Sequence, residues 1–399
     1  MKILVANLGS TSFKYSLYDM ANETLLARGK VERIGESESL CSVEIGDFQE
    51  KITASIPNHA VAVRQCLAQL TDPKTGCLQS AQEVEGIGFK AVLASGYTGV
   101  QWVTKELLDA MEELNNVMPA HNPPYVRAMR LLNEQLPDIP LVAAFETGFH
   151  ETIPTRNRYY GVPFEWAEKY SVKRFGFHGA SHRYIATRTA ELFGRNDLRV
   201  ISCHLGGSSS ICAIADGKSC GSSMGCSAQT GLFNNNRIGD FDPFMTSHLM
   251  KKLGKSFDEM LELFSTQCGL LGLSGVSSDF RDVMDAIDSG NEQAKIAVDV
   301  FIGDIRRYLG AFLVELGGAD LIVFTGGIGE RQPQIREMAC AGLEELGIEL
   351  DSEKNASVSG TESPVHKDSS RTQIWVVPTN EEIIVARQTV AKLREKENQ

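Results

Sequence analysis

The sequence has no CxxC pair, no stretch of eighteen unbroken apolar residues and no run of lysine and arginine. Nine cysteines, an odd number with no paired spacing, do not suit a disulfide framework or a cysteine-held metal, so reduced and mostly buried thiols are expected. The missing apolar run excludes a membrane-spanning helix. The missing basic run, in a chain of formal net charge -12, excludes an extended nucleic-acid surface. The opening "MKILVANLGS" has no charged leader, long apolar core or small-residue cleavage site. A soluble, cytoplasmic protein is expected.

What is present is a chain of 399 residues, 42% hydrophobic, long enough for two cores of mixed α/β type. Residues 2–6 and 13–18 are apolar runs separated by a Gly/Ser turn, the pattern of a hairpin, and residues 200–216 read the same way. Laying "HLGGSSSICAIAD" on "NLGSTSFKYSLYD", His204 on Asn7, matches Leu8 with Leu205, Gly9 with Gly206, Ser12 with Ser209 and Asp19 with Asp216. Either the chain is duplicated, each half opening with one hairpin, or two common Gly/Ser turns coincide.

Helical spacing places Ala128, Leu131, Leu132 and Leu136 on one face, and Ile185, Thr189 and Leu192 on another, with Ser181 as N-cap and Gly194 as the stop. A long helix is expected over residues 292–316, feeding the strand "LIVFT", a glycine turn and a helix opened by Pro333. A strand, a glycine turn and a helix N-terminus in that order suit a phosphate or ribose. Residues 352–370, rich in Ser, Glu and Lys, read as a polar excursion.

Gly/Ser turns can aim several backbone N–H groups at one anion. Lys14 follows such a turn outside any GxxxxGK[ST] pattern, and is either a phosphate ligand or a solvated strand lysine. Arg237, in the apolar-poor "NNNRIGDFDP", either grips a phosphoryl group with its planar fork or pairs with a surface acid. His178 and His182, four apart, invite a metal reading, but no HExxH glutamate lies between them, which favours structural or anion-contacting roles. Glu146 follows an apolar run, either as a strand-end carboxylate or as a solvated loop acid.

The ordered set "NLGSTSFK", "HNPP", "FETGFH", "RFGFHGASH", "CHLGG", "SMG", "NRIGDFDP", "SGVSSDFRD", "GGIGE" and "PTNEE" resembles the acetate kinases and the related propionate kinases over essentially the whole chain. The resemblance implies a duplicated actin-like ATPase fold of the acetate and sugar kinase type. Its two domains, 1–149 completed by a C-terminal helix at 380–399, and 150–379, would have an active-site cleft between them. It implies a homodimer that reversibly moves the ATP γ-phosphoryl group to a short-chain carboxylate with magnesium. By motif position, Asn7, Ser10, Ser12 and Lys14 would line the first phosphate turn, and Asn7 and Glu381 would organise Mg2+, with Glu382 beside it. His121, His178 and His204 would surround the transferred group and Arg237 would neutralise its oxygens. Gly206, Gly207, Asp279, Phe280, Arg281, Gly327, Ile328 and Gly329 would hold the nucleotide.

Several positions depart from the family pattern. An arginine becomes Lys90, a nearby histidine becomes Leu93 and the catalytic aspartate becomes Glu146; lysine keeps the charge and loses the fork. Lys90 and Glu146 together have the reach of an arginine–aspartate pair. Gly207 stands where the pattern has an asparagine, and Arg331 replaces another. In the acyl pocket Val92 and Phe177 persist while Ala120 and Ala228 replace larger residues, which points to an acid longer than acetate. The alternatives are a different phosphoryl donor, or a nucleotide-binding regulator with weakened turnover.

Overall fold

The computed structural model describes residues 1–9, 11–119 and 121–397. The chain divides into two compact units, Met1–Gly148 with Asn380–Gln399, and Phe149–Thr379. In the first unit β1 (Lys2–Leu8), β2 (Ser12–Asp19), β3 (Thr24–Glu32), β4 (Ser39–Ile45), β5 (Phe48–Ala54), β6 (Val84–Ala91), β7 (Val100–Trp102) and β8 (Leu141–Phe145) form one sheet in the order β5-β4-β3-β2-β1-β6-β8-β7. The second unit has a six-stranded sheet of β9 (Arg199–His204), β10 (Ser210–Ala215), β11 (Lys218–Ser222), β12 (Leu321–Thr325), β13 (Ser363–Pro364) and β14 (Gln373–Val376), in the order β11-β10-β9-β12-β14-β13.

Both sheets contain the same five-strand motif. In β3-β2-β1-β6-β8, as in β11-β10-β9-β12-β14, two antiparallel pairings are followed by two parallel ones. This repeat is the duplicated α/β architecture. The two hairpins differ by one residue in register: Asn7 faces Lys14, whereas His204 faces Ser210 and not Ile211. Asp19 faces Lys2, but Arg199 faces Ala215, so Asp19 and Asp216 match in sequence without occupying one ladder position.

The inner parallel strands β8 "LVAAF" and β12 "LIVFT" are buried at every position, as strands covered on both faces must be. Continuous apolar runs, not alternation, are their sequence signature. The turn after β1 is closed by Gly9 N–H donating to Ser12 O (2.8 Å), and a Cβ at Gly9 would make the Ser12 hydroxyl rotate away. The long helix Glu292–Leu316 is capped by Asn291 and stopped by Gly317 at φ 66°.

Two local expectations need correction. The helix Gly179–Phe193 does end at left-handed Gly194, but its N-cap is His178 and not Ser181, which lies inside the first turn and bonds to His204. Residues 352–370 are not a bare excursion: Asp351 caps the short helix Ser352–Ser357, and β13 adds an edge strand to β14.

The C-terminal helix Glu381–Glu397 packs on the first unit's sheet because β6 carries glycine at 86 and 88. A Cβ at Gly88 would enter the space of Thr389 Oγ1 and stand 2.9 Å from Val385 Cγ1. Gly88→Ala should therefore cost about 1–3 kcal/mol by overpacking. Thermal denaturation should show a lower midpoint, and an unchanged midpoint would show that the helix has room to spare.

Candidate active site

In the first unit the parallel pairing of β6 with β8 sets Lys90 beside Ala144, two residues before Glu146. The first residue of the C-terminal helix, Glu381, reaches the same place. Lys90 Nζ lies 2.5 Å from Glu381 Oε2 and 3.9 Å from Glu146 Oε1. The pair inferred between Lys90 and Glu146 is thus the longer of two contacts, and Glu381 is the closer partner. Burial pulls the Lys90 ammonium down, but the charges of Glu381 and Glu146 outweigh it and hold the group above the ordinary lysine range.

The other residues of this unit lie on β1, β2 and the helix Asn122–Gln135. Tyr125 donates its hydroxyl proton to Asn7 Oδ1 (2.9 Å) and accepts from Leu8 N–H (3.3 Å). His121 is the N-cap of that helix, and Asn122 behind it is fully buried, donating to Leu93 O (2.9 Å) and Met111 O (2.7 Å). Ser12 is half-buried, and exposed Lys14 faces Lys30 across the sheet. Lys14 and Glu382 line a hollow of about 360 Å³ on that sheet face. Glu382 accepts from Ser16. Ser10 and Ala120 lie outside the described residues. Val92 is buried.

In the second unit β12 runs straight into a helix, Gly326–Arg331, so the expected glycine turn is itself a helical turn. Glu330 Oε1 accepts from Gly326 N–H (2.9 Å), and buried Arg336 donates to Gly329 O (2.9 Å), fixing the turn from both sides. Beside it is a cavity of about 420 Å³. Its walls include Gly206, Gly207, Asp279, Phe280, Arg281, Gly327 and Ile328, all singled out from the sequence, and Arg331. Gly329 stays buried behind this wall. Asn235 and Gln332 complete it and carry no sequence signal, since Asn235 is one of three consecutive asparagines. A Cβ at Gly207 would stand 3.1 Å from Asn235 Nδ2, so Asn235 fills the room that glycine leaves.

The histidines form a graded set. His178, at φ 54°, stacks on His204 with centroids 4.3 Å apart. Ser210 Oγ bonds both His178 Nδ1 (2.8 Å) and His182 Nε2 (2.9 Å), and Ser202 Oγ bonds His182 Nδ1 (2.9 Å). His182 is fully buried and its pKa is driven well down by desolvation, so it is a neutral structural member. Among the described residues no group of three His, Cys, Asp or Glu side chains could hold a metal ion.

Arg237 is buried in a loop and donates to Ala228 O (3.1 Å). The acid three residues on, Asp240, does not pair with it and instead accepts from Gly231 N–H (2.8 Å) and Tyr308 O–H (2.6 Å). No described carboxylate pairs with Arg237, and burial lowers its pKa to about 10. A buried guanidinium without a counter-ion is costly by itself and well suited to an incoming anion. Ala228, whose carbonyl accepts from Arg237, and Phe177 are both buried in the second unit.

His150 is also buried, its Nε2–H donating to Phe177 O (2.9 Å) while Nδ1 bonds Ser219 Oγ (2.8 Å). Desolvation lowers its pKa from 6.5 to about 4. The unfolded chain therefore takes up the proton first, and stability present above pH 6.5 is lost as pH falls toward 4, by about 3 kcal/mol from this group. Thermal midpoints between pH 7 and 4 should fall more steeply for the wild type than for His150→Gln; parallel slopes would rule out this assignment.

Comparison with known proteins agrees on one family. Residues 2–387 match the model of the acetokinase family. An acetate kinase from Desulfitobacterium hafniense is 42% identical over 394 residues, covering 98% of each chain. The crystal structure of Porphyromonas gingivalis acetate kinase superimposes with a TM-score of 0.89 at 36% identity, covering 98% of this chain and 99% of that one. A propionate kinase structure from Francisella tularensis gives 0.88 at 29% identity, covering 97% and 98%. With matches along its whole length to sequences and structures alike, the chain belongs to the acetokinase family.

Proposed function

We propose that the protein transfers the γ-phosphoryl group of ATP directly to a short-chain carboxylate, giving an acyl phosphate and ADP, and that the reaction is reversible. A carboxylic acid of this class is ionised at neutral pH. Its oxygen can attack phosphorus without a general base, and the bond broken is that from phosphorus to the bridging oxygen, which leaves on ADP. No proton need move. The difficulty is electrostatic, since an anion must approach a polyanion, and the protein's contribution is alignment and positive charge.

The observation that carries this reading is Arg237, buried without a carboxylate and therefore ready to take up the charge of a phosphoryl group. His178, His204 and His121 are read as further donors to oxygens of the transferred group. Lys90, held by Glu381 and Glu146, adds a fixed ammonium, and Glu146 acts through that ammonium and not as a base. The 420 Å³ cavity has room for a nucleoside, which favours ATP over a bare polyphosphate as donor.

Magnesium is expected with the nucleotide. Such ions are held by one or two carboxylates together with substrate phosphates and water, not by an all-protein cage. Glu381, engaged by Lys90 through Oε2, fits that sparse donor set, and the ion would supply charge neutralisation at the phosphates. A homodimer working in the cytoplasm fits this reading; among the described residues no helix is long and apolar enough to cross a membrane.

Ala228 and Ala120, small where the family pattern has larger side chains, favour an acid of three or four carbons over acetate. Acyl phosphate trapped with hydroxylamine should be measured with Mg-ATP and each straight-chain acid from formate to valerate. Turnover with kcat/KM highest at propionate or butyrate is the expected result. A maximum at acetate would keep the kinase and remove the enlarged pocket, and binding of ATP without turnover of any acid would favour the regulator.

A further inference from the structure

The hydroxyl of Tyr125 sits between two consecutive residues of β1. Leu8 donates its backbone N–H to it, and it donates to Asn7 Oδ1. The hydroxyl is used once as acceptor and once as donor. A backbone amide has only a proton to give, so the hydroxyl accepts there, and the single proton it owns goes to the asparagine oxygen. Burial, opposed in part by the charge of Lys90, holds the phenol pKa above its ordinary value, so that proton stays in place. Tyr125 is only 4% exposed and anchored in the helix Asn122–Gln135, whereas Asn7 is exposed. With Oδ1 engaged by Tyr125, the Nδ2 amino group is the polar face that Asn7 offers outward. Among the described residues nothing accepts from it.

We propose that Tyr125 is a positioning residue that locks the Asn7 carboxamide so that it presents N–H donors to an anion, a phosphate oxygen of the nucleotide. This rests on the phosphoryl-transfer reading and, of the two contacts that the motif position of Asn7 implies, assigns it the phosphate and not the metal. A carboxamide rotated by half a turn would offer oxygen to a cation instead. The hydroxyl of Tyr125 opposes that rotation, because it would then face the amino group while already accepting from Leu8. Asn7 lies opposite Lys14 in the β1–β2 ladder, so the donor face and an ammonium belong to neighbouring strands at one end of the sheet.

The test is Mg-ATP binding by calorimetry in the absence of any acid, on the full-length wild type, Asn7→Asp, Asn7→Ala, Tyr125→Phe and Tyr125→Phe/Asn7→Ala. Asn7→Asp keeps an acceptor for Tyr125 and replaces the donor face by a carboxylate oxygen. Affinity should fall about tenfold or more, with the magnesium concentration needed for half-maximal binding unchanged. Tyr125→Phe should lower affinity about fivefold in the wild-type background and by less than about twofold once Asn7 is alanine. A purely structural role for Tyr125 would give the same loss in both backgrounds, and that result overturns the proposal. So does an Asn7→Asp protein that binds Mg-ATP as well as the wild type and needs less magnesium. Should Tyr125→Phe fail to fold, Asn7→Asp decides alone. A wild type that binds Mg-ATP but forms no acyl phosphate would sink the phosphoryl-transfer reading while leaving this binding test intact.

Discussion

The ammonium of Lys90 organises the first unit. It lies on β6, and its nearest partner, Glu381, is 291 residues away in sequence, at the start of the last helix. The same helix rests on the glycines of β6 and delivers Glu382 to Ser16 of β2. Two carboxylates, from the end of β8 and from the C-terminal helix, therefore share one cation. Removing the cation would leave them facing each other in a poorly solvated place, at a cost on the order of 3 kcal/mol. The arrangement makes Lys90 a structural tie besides the role proposed for it, so its replacement should disturb the docking of the helix.

Arg237 in the second unit is the opposite case. Lys90 has more negative charge around it than it needs, while Arg237 has no described carboxylate and a pKa lowered by burial to about 10. Among the described residues no carboxylate cancels its charge, which suits the phosphoryl contact proposed for it. The histidines follow the same economy: His182 and His150 are neutral and hold serines in place, whereas His178 and His204 stack at the end of β9 beside the glycine wall of the cavity. In a reaction between two anions, most of the protein's task is to keep positive charge and hydrogen-bond donors in place without cancelling them in advance.

How much of this could be read in the sequence depended on range. Buried strands such as "LVAAF" and "LIVFT", the two hairpins and the glycine stop at Gly194 are local, and each was legible from composition and turn residues. Motif order gathered Gly206, Gly207, Asp279 and Gly327 before geometry placed them on one cavity. The register of the second hairpin was not legible, because a Gly/Ser turn one residue shorter preserves the same pattern of letters. Neither was the nearest partner of Lys90, the failure of Asp240 to reach Arg237, or the bonds of Tyr125 to β1, since each depends on contacts between distant segments. His178 took the N-cap from Ser181 for a similar reason: the serine hydroxyl is used by His204, on a strand the local sequence does not see.

The central claim is that the protein acts by alignment and charge, passing the phosphoryl group directly from nucleotide to carboxylate. The most direct measurement is the stereochemical course at phosphorus, using ATP made chiral at the γ-position with oxygen isotopes and analysing the acyl phosphate formed. A single in-line transfer predicts inversion. Retention would require two displacements, with a phosphorylated side chain such as Glu146 or His178 between them, and would contradict the account.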